Sequence, residues 1–201
     1  MISIFGYILR RCSSTIVNLI SLIINNNFLI SRLLKRQILK SLITSYDLKT
    51  FVETGTYLGD TSFYLSRVVK KGITIEVSKF LYTRAKFRLR KKKNIEVLLG
   101  DSVEVLGNTL GNINTPCLFY LDGHFSGGIS SSAKNYASPL NLELEIIKSF
   151  HFLKGSIIVI DDARELGRTD GYPEINEIER IFENQKFSKI ELCDLLIIVF
   201  N

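Results

Sequence analysis

Five short apolar runs in this chain end on acidic residues. "TFVET" carries Glu53, "GITIEVS" carries Glu76, "NIEVLLG" is followed by Asp101, "PCLFYLDG" carries Asp122, and "GSIIVIDD" ends on Asp161 and Asp162. Singly, each acid reads as a solvated loop carboxylate or a helix cap. Five in succession call for one explanation, and in an open α/β sheet ligands bind outside the carboxyl ends of the strands. After the first run comes Glu53-Thr54-Gly55-Thr56-Tyr57-Leu58-Gly59, an acid followed by glycines four apart. Gly55 permits a sharp turn at positive φ, and Gly59 lets the next helix start approach a ligand closely. The N–H groups at that start, with the Thr61 hydroxyl, suit a carboxylate, while Glu53 suits an ammonium. Glu76 could accept both hydroxyls of a ribose, and Asp101-Ser102 could meet an adenine edge. An amino acid joined to an adenosine describes S-adenosylmethionine. The expected cofactor residues are therefore Glu53, Thr54, Gly55, Thr56, Tyr57, Gly59, Thr61, Glu76, Asp101, Ser102 and Asp122.

The fourth and fifth runs carry different chemistry. Adjacent strand ends would bring Asp122, Asp161 and Asp162 together, which is costly unless a cation neutralises them. Oxygen-only donors, with scattered cysteines and only His124 and His151 for imidazole, suit Mg²⁺ over zinc. Such an ion would lower the pKa of a substrate hydroxyl held near the methyl sulfonium. His124, two residues past Asp122, is the candidate general base; the alternative is a loop histidine without a catalytic role. His151, in "IIKSFHF", reads as structural.

The elements that would position these residues alternate. Strands are expected at 50–54, 72–78, 94–100, 116–123 and 155–162, with helices at 61–70, 79–92, 102–110, 139–151 and 174–184. This is the rhythm of right-handed βαβ units, hence an α/β Rossmann-like parallel sheet with helices on both faces. The tail "FSKIELCDLLIIVFN" breaks it: two β-rich runs meet at Cys193-Asp194 with no room for a crossover, so five parallel strands should be followed by a C-terminal antiparallel hairpin.

Composition bounds the rest. With 201 residues there is room for one substantial α/β domain. Three cysteines without C-x-x-C spacing argue against a zinc site or disulfide framework and fit a reducing, cytoplasmic setting. The net charge of +6 belongs to residues 1–46, which hold Arg10, Arg11, Arg32, Lys35, Arg36 and Lys40 and no acid. That segment is also apolar, and it divides from a domain at 47–201. The uncharged stretch Cys12 to Ser31 is long enough to span a bilayer, but Asn18 and Asn25-Asn26-Asn27 oppose spanning. Two short helices, the second from about Phe28 to Ile43, are expected instead. They either pack on the domain, the preferred reading, or lie on a membrane surface as a basic amphipathic anchor. The basic run "RAKFRLRKKKN" reads as a solvated helix face, and the mixed charge of the loops counts against a nucleic-acid partner.

From about residue 50 to the end, the chain resembles the class I S-adenosylmethionine-dependent methyltransferases. "ETGTYLGDTS" is similar to the glycine turn of the metal-dependent small-molecule O-methyltransferases, including the catechol and macrocin groups. In those groups the middle glycine of the commoner turn is also missing; Tyr57 stands there in this chain. The resemblance implies metal-ligand roles for Asp122, Asp161 and Asp162 in an O-methyl transfer; Asp122 and the candidate base His124 are then the expected catalytic residues. The catechol group has a lysine three residues past its aspartate, where this chain has Phe125. The macrocin group methylates sugar hydroxyls, and the loops "HFSGGISSSAKNYAS" and "ARELGRTDGYP", with Lys134, Arg164 and Tyr172, suit a sugar or other hydroxyl-rich small-molecule or glycan acceptor. Two rival readings stand beside this one. A nucleotide-dependent oxidoreductase would use the same sheet but lacks its G-x-G-x-x-G, and a non-catalytic cofactor-binding module would share the fold without the chemistry.

Overall fold

The central strands of this chain are unbroken apolar runs and so supply apolar side chains to both faces of one sheet. The computed structural model describes residues 28–122, 138–169 and 171–201. In chain order the elements are α1 (Phe28–Ser45), β1 (Thr50–Thr54), α2 (Asp60–Leu65), β2 (Lys71–Glu76), α3 (Lys79–Leu89), β3 (Ile95–Leu99), α4 (Ser102–Leu110), β4 (Cys117–Leu121), α5 (Leu140–Lys148), β5 (Ile157–Ile160), α6 (Ile175–Ile181), β6 (Phe187–Leu192) and β7 (Leu195–Phe200). A 3-10 turn at Ala163–Glu165 follows β5.

The sheet has seven strands in the order β3-β2-β1-β4-β5-β7-β6. Strands β1 to β5 are mutually parallel, and β7 runs antiparallel to both β5 and β6. The expected hairpin is present. Its two-residue turn has Cys193 at φ 53° and Asp194 at φ 63°, the paired left-handed conformation whose twist matches a tight hairpin. The sheet order places the turn between β6 and β7 at the carboxyl end of β5, because β7 starts where β5 stops.

Side-chain parity divides the core in two. Val52, Phe119, Leu121, Ile158 and Ile160 face α4, α5 and α6 through Leu106, Leu144 and Phe182. Phe51, Leu118, Tyr120, Ile157 and Val159 face α1 and α2 through Leu39, Leu42 and Leu65. Helix α1 thus packs on the sheet with Ile38, Leu39, Leu42 and Ile43, one turn's worth of apolar spacing. The first of the two expected N-terminal helices lies outside the described residues. Among the described residues, no helix is long and apolar enough to cross a membrane.

Four helices are shorter than their sequence patterns: 79–92 ends at Leu89, 139–151 becomes Leu140–Lys148, 174–184 becomes Ile175–Ile181, and 61–70 is cut most sharply at its end. The run expected at 61–70 is helical only to Leu65. The Ser66 hydroxyl turns back to the Phe63 carbonyl at 2.7 Å, and the Asn94 amide takes the carbonyls of Ser66 and Val69 at 2.9 Å each. These bonds satisfy the open helix end and bend the chain into β2.

Helix α1 is therefore part of the core, and Leu42→Ala tests this. Leu42 is buried to 1% exposure, so its truncation should cost about 2–5 kcal/mol, the range for a buried leucine. Urea denaturation would read it; an unchanged midpoint would mean that α1 docks without supporting the domain.

Candidate functional site

The turn after β1 is built from three left-handed residues: Gly55 at φ 84°, Tyr57 at 50° and Gly59 at 76°. Tyr57 therefore adopts the conformation that a middle glycine would take freely, at a cost of roughly 1–2 kcal/mol for a residue with a Cβ. Bonds to β2 hold it there. The N–H groups of Gly55 and Thr56 donate to the Ile75 carbonyl at 3.0 and 3.2 Å, and the Tyr57 N–H donates to Glu76 Oε2 at 2.7 Å. Glu76 Oε1 accepts the Ser78 N–H at 2.9 Å. Burial raises the Glu76 pKa, and the N–H donors of Ser78, Tyr57 and Val77 partly offset it.

Glu53 lies beneath this turn at 1% exposure. It shares the parity of Phe51, so it points to the α1 and α2 side of the sheet. One of its oxygens accepts the hydroxyls of Ser62 at 2.6 Å and Thr74 at 2.7 Å, joining β1 to α2 and β2. Burial pushes its pKa up to about 7 against the pull of those hydroxyls and of Arg36. Gly59 also packs closely under α3. A Cβ there would come within 3.0 Å of Leu89 Cδ1, so α3 fills the space over the glycine. Thr61 is the second residue of α2, partly buried. At the end of β3, Asp101 caps α4 by accepting the Val103 N–H at 3.0 Å, and Ser102 is the first residue of that helix.

The other half of the site is acidic. Ladder bonds continue past the strand ends: the Asp122 N–H donates to the Thr54 carbonyl and the Asp161 N–H to the Leu121 carbonyl, both at 3.0 Å. Glu53, Asp122 and Asp161 are thereby brought to one end of the sheet. Asp122 keeps some solvent exposure as a residue, yet its carboxyl group sits well above the usual range, through burial and the charges of Asp161, Glu53 and Asp162. Among the described residues, the carboxylates that offer oxygens within 4.8 Å of one another are Asp161, Asp162 and Asp194. This differs from the expected set of Asp122, Asp161 and Asp162.

The cluster is also already engaged. Lys35 of α1, 7% exposed, donates to Asp161 Oδ1 and, at 3.2 Å, to Asp194 Oδ2; its Nζ lies 3.7 Å from Asp162 Oδ1. The Asp162 N–H donates to Asp161 Oδ1 at 2.8 Å, and the Tyr120 hydroxyl donates to Asp161 Oδ2. Arg164 pairs with Asp162 and Asp194 from the rim. Burial works to lower the Lys35 pKa, but the charge and hydrogen bond of Asp161, with Asp194 and Asp162, raise it overall. The oxygen donors are those Mg²⁺ prefers, but both Asp161 oxygens have partners and an ammonium lies among the three carboxylates. These residues as arranged do not fit a metal ion.

Lys35, Asp194 and Glu143 were not anticipated from the sequence. Lys35 lies 126 residues from Asp161, and Asp194 reads as an ordinary turn former. Glu143 did carry a signal: it is an acid on the apolar stripe Leu140, Leu144 and Ile147 of α5. It is fully buried; neither of its oxygens nor the Thr54 hydroxyl completes a hydrogen bond. Burial pushes its pKa up to about 7, opposed by the nearby hydroxyls of Ser102 and Thr54 and reinforced by Asp101. It therefore sits beneath the ends of β1 and β3. His124 lies outside the described residues.

No family model matches the chain, and no curated protein matches it. Solved structures do. The methyltransferase PaMTH1 of Podospora anserina, with SAH bound, has a TM-score of 0.60 at 14% identity, covering 84% of this chain and 78% of its own. The fold of this chain is the class I methyltransferase fold. An O-methyltransferase of Bacillus cereus in complex with SAH gives 0.55 at 17% identity, covering 83% and 80%. TomG of Streptomyces achromogenes, an O-methyltransferase involved in tomaymycin synthesis and solved with SAM, gives 0.55 at 16% identity, covering 95% and 97%.

Glu143 makes stability depend on pH. Its ordinary pKa is 4.5 and its folded value about 7. Between these values the folded chain holds a proton that the unfolded chain releases. The contribution is thus complete below pH 4.5 and is lost as pH rises through 7. Glu143→Gln should leave the urea midpoint near that of the parent at acid pH and raise stability by on the order of 3 kcal/mol above neutrality. Glu53, raised in the same way, would keep part of the slope. Parallel pH profiles for the two chains would mean that Glu143 ionises without penalty.

Proposed function

We propose that this chain is an S-adenosylmethionine-dependent O-methyltransferase whose acceptor is a hydroxyl of a small molecule or glycan, a sugar hydroxyl foremost. The observation that carries the reading is the sheet order β3-β2-β1-β4-β5-β7-β6 with the left-handed turn from Gly55 to Gly59 tied to Glu76 at its centre. Proteins of the same fold hold SAM or SAH. In this reading Gly55, Thr56 and Tyr57 receive the methionine end, Glu76 the ribose, and Asp101 with Ser102 the adenine. Glu53 sets the shape of the turn from below, and Thr54, Gly59 and Thr61 frame it.

The acceptor oxygen attacks the methyl carbon of the sulfonium. The carbon–sulfur bond breaks as the carbon–oxygen bond forms, the hydroxyl proton passes to Asp122, and S-adenosylhomocysteine leaves. Alignment of oxygen, methyl and sulfur supplies much of the acceleration, and proton removal by a fixed base supplies more. His124 is the other candidate for that proton. Mg²⁺ is given no step, because Lys35 lies among the carboxylates that would hold it. Arg164 and Tyr172, beside the β5 end, suit a hydroxyl-rich acceptor.

Titration calorimetry on the full chain tests the reading. SAM should bind in the micromolar range and NAD⁺ should give no heat. Glu76→Gln should weaken SAM by roughly tenfold to a hundredfold, the effect of losing a hydrogen bond to a charged group, with an unchanged circular dichroism spectrum. Binding of NAD⁺ without SAM would instead favour the oxidoreductase, and binding of neither would favour the non-catalytic module.

A further inference from the structure

Three ionised carboxylates cannot share one small volume without positive charge. Asp161, Asp162 and Asp194 do so here, with oxygens within 4.8 Å. The usual solution in a site of oxygen donors is a divalent cation. This chain has another. Lys35 reaches the cluster from α1, on the face of the sheet to which the parity of Asp161 directs its side chain. Its ammonium hydrogen-bonds to Asp161 and Asp194 and ion-pairs with Asp162.

We propose that Lys35 is the resident cation of this cluster, standing where a divalent ion would otherwise be required, so that the site holds its carboxylates without metal. Three features of the cluster carry this. First, Lys35 is buried, and its stem belongs to a helix whose neighbours Ile38, Leu39, Leu42 and Ile43 are fixed in the core, so the ammonium is delivered by a rigid element. Second, most of the acceptor capacity of Asp161 is used: Oδ1 takes Lys35 and the Asp162 N–H, and Oδ2 takes Tyr120, leaving one lone pair on Oδ2. A metal bound through Oδ1 would have to displace one of these. Third, most of the negative charge is offset without an ion. Arg164 and Lys35 offset two of the three carboxylates. Removing Lys35 would leave an excess of two negative charges, the amount one divalent ion neutralises.

Lys35 is a positioning residue in this account. It holds Asp161 and Asp194 in place beside Asp122, and it brings α1 into the site. The consequence for catalysis, activity indifferent to EDTA, rests on the methyltransferase reading. The electrostatic claim does not, and the experiment is chosen to read the latter alone.

Electron paramagnetic resonance of Mn²⁺, whose free aquo ion gives a signal that binding removes, is measured on the full chain and on Lys35→Ala and Lys35→Arg variants. The parent and Lys35→Arg should leave the Mn²⁺ signal intact at millimolar protein. Lys35→Ala should remove one equivalent of the signal per chain, and its thermal midpoint should fall in EDTA and recover with Mg²⁺. Stoichiometric Mn²⁺ binding by the parent would overturn the proposal. So would a folded Lys35→Ala chain that binds none. Should Lys35→Ala fail to fold with or without Mn²⁺, the parent and Lys35→Arg decide: binding by either overturns the proposal, and binding by neither supports it. Loss of SAM binding in calorimetry would defeat the methyltransferase reading and leave these Mn²⁺ outcomes unaffected.

Discussion

Desolvation of carboxylates at one end of the sheet is the constraint on which this structure turns. Parallel strands in register deliver Glu53, Glu76, Asp122 and Asp161 to the same edge, and helices on both faces keep water from much of it. A buried carboxylate must then find donors, find a cation, or remain protonated. Each solution is present. Glu53 has the hydroxyls of Ser62 and Thr74. Glu76 has the N–H groups of Tyr57 and Ser78. Asp161 has Lys35, Tyr120 and a backbone N–H. Glu143 has no hydrogen bond and is held toward its protonated form.

These solutions also shape the backbone. The bond from the Tyr57 N–H to Glu76 is what holds a tyrosine in a left-handed conformation, so the acid that would read a ribose also sets the turn above it. Glu53 fixes the start of α2 through Ser62. The same residues that make the pocket polar therefore determine its geometry, and a change at either acid would disturb both shape and charge.

Much of this was legible in the sequence. A short apolar run gave β1 to its end residues, and the absence of room for a crossover at Cys193-Asp194 gave the hairpin. The glycine turn and the strand-end acids could be named because they are local patterns. What could not be read were contacts that depend on how distant elements meet. Asp194 comes to Asp161 only because β7 inserts beside β5, and Lys35 comes to both only because α1 covers that face. Glu143 was accessible in principle, since an acid on the apolar stripe of a helix is a local anomaly. The truncation of α2 was not, because its end is capped by Asn94 from the far side of α3.

Helix α1 links these observations. Its residues Ile38, Leu39, Leu42 and Ile43 are buried in the same cluster as Phe51, Leu118 and Ile157. Its basic residues are used in the same way. Lys35 enters the carboxylate cluster, and Arg36 lies 3.5 Å from Asp60 at the start of α2. A charge excess that looked like an electrostatic address in the sequence thus has, at these two positions, a partner within the domain. Basic residues whose counter-charges are neighbouring acids of the same chain contribute little to an external field. The acids and this helix are better understood as one unit, in which the sheet supplies too much negative charge at its functional edge and α1 supplies the cation that lets that edge be closed.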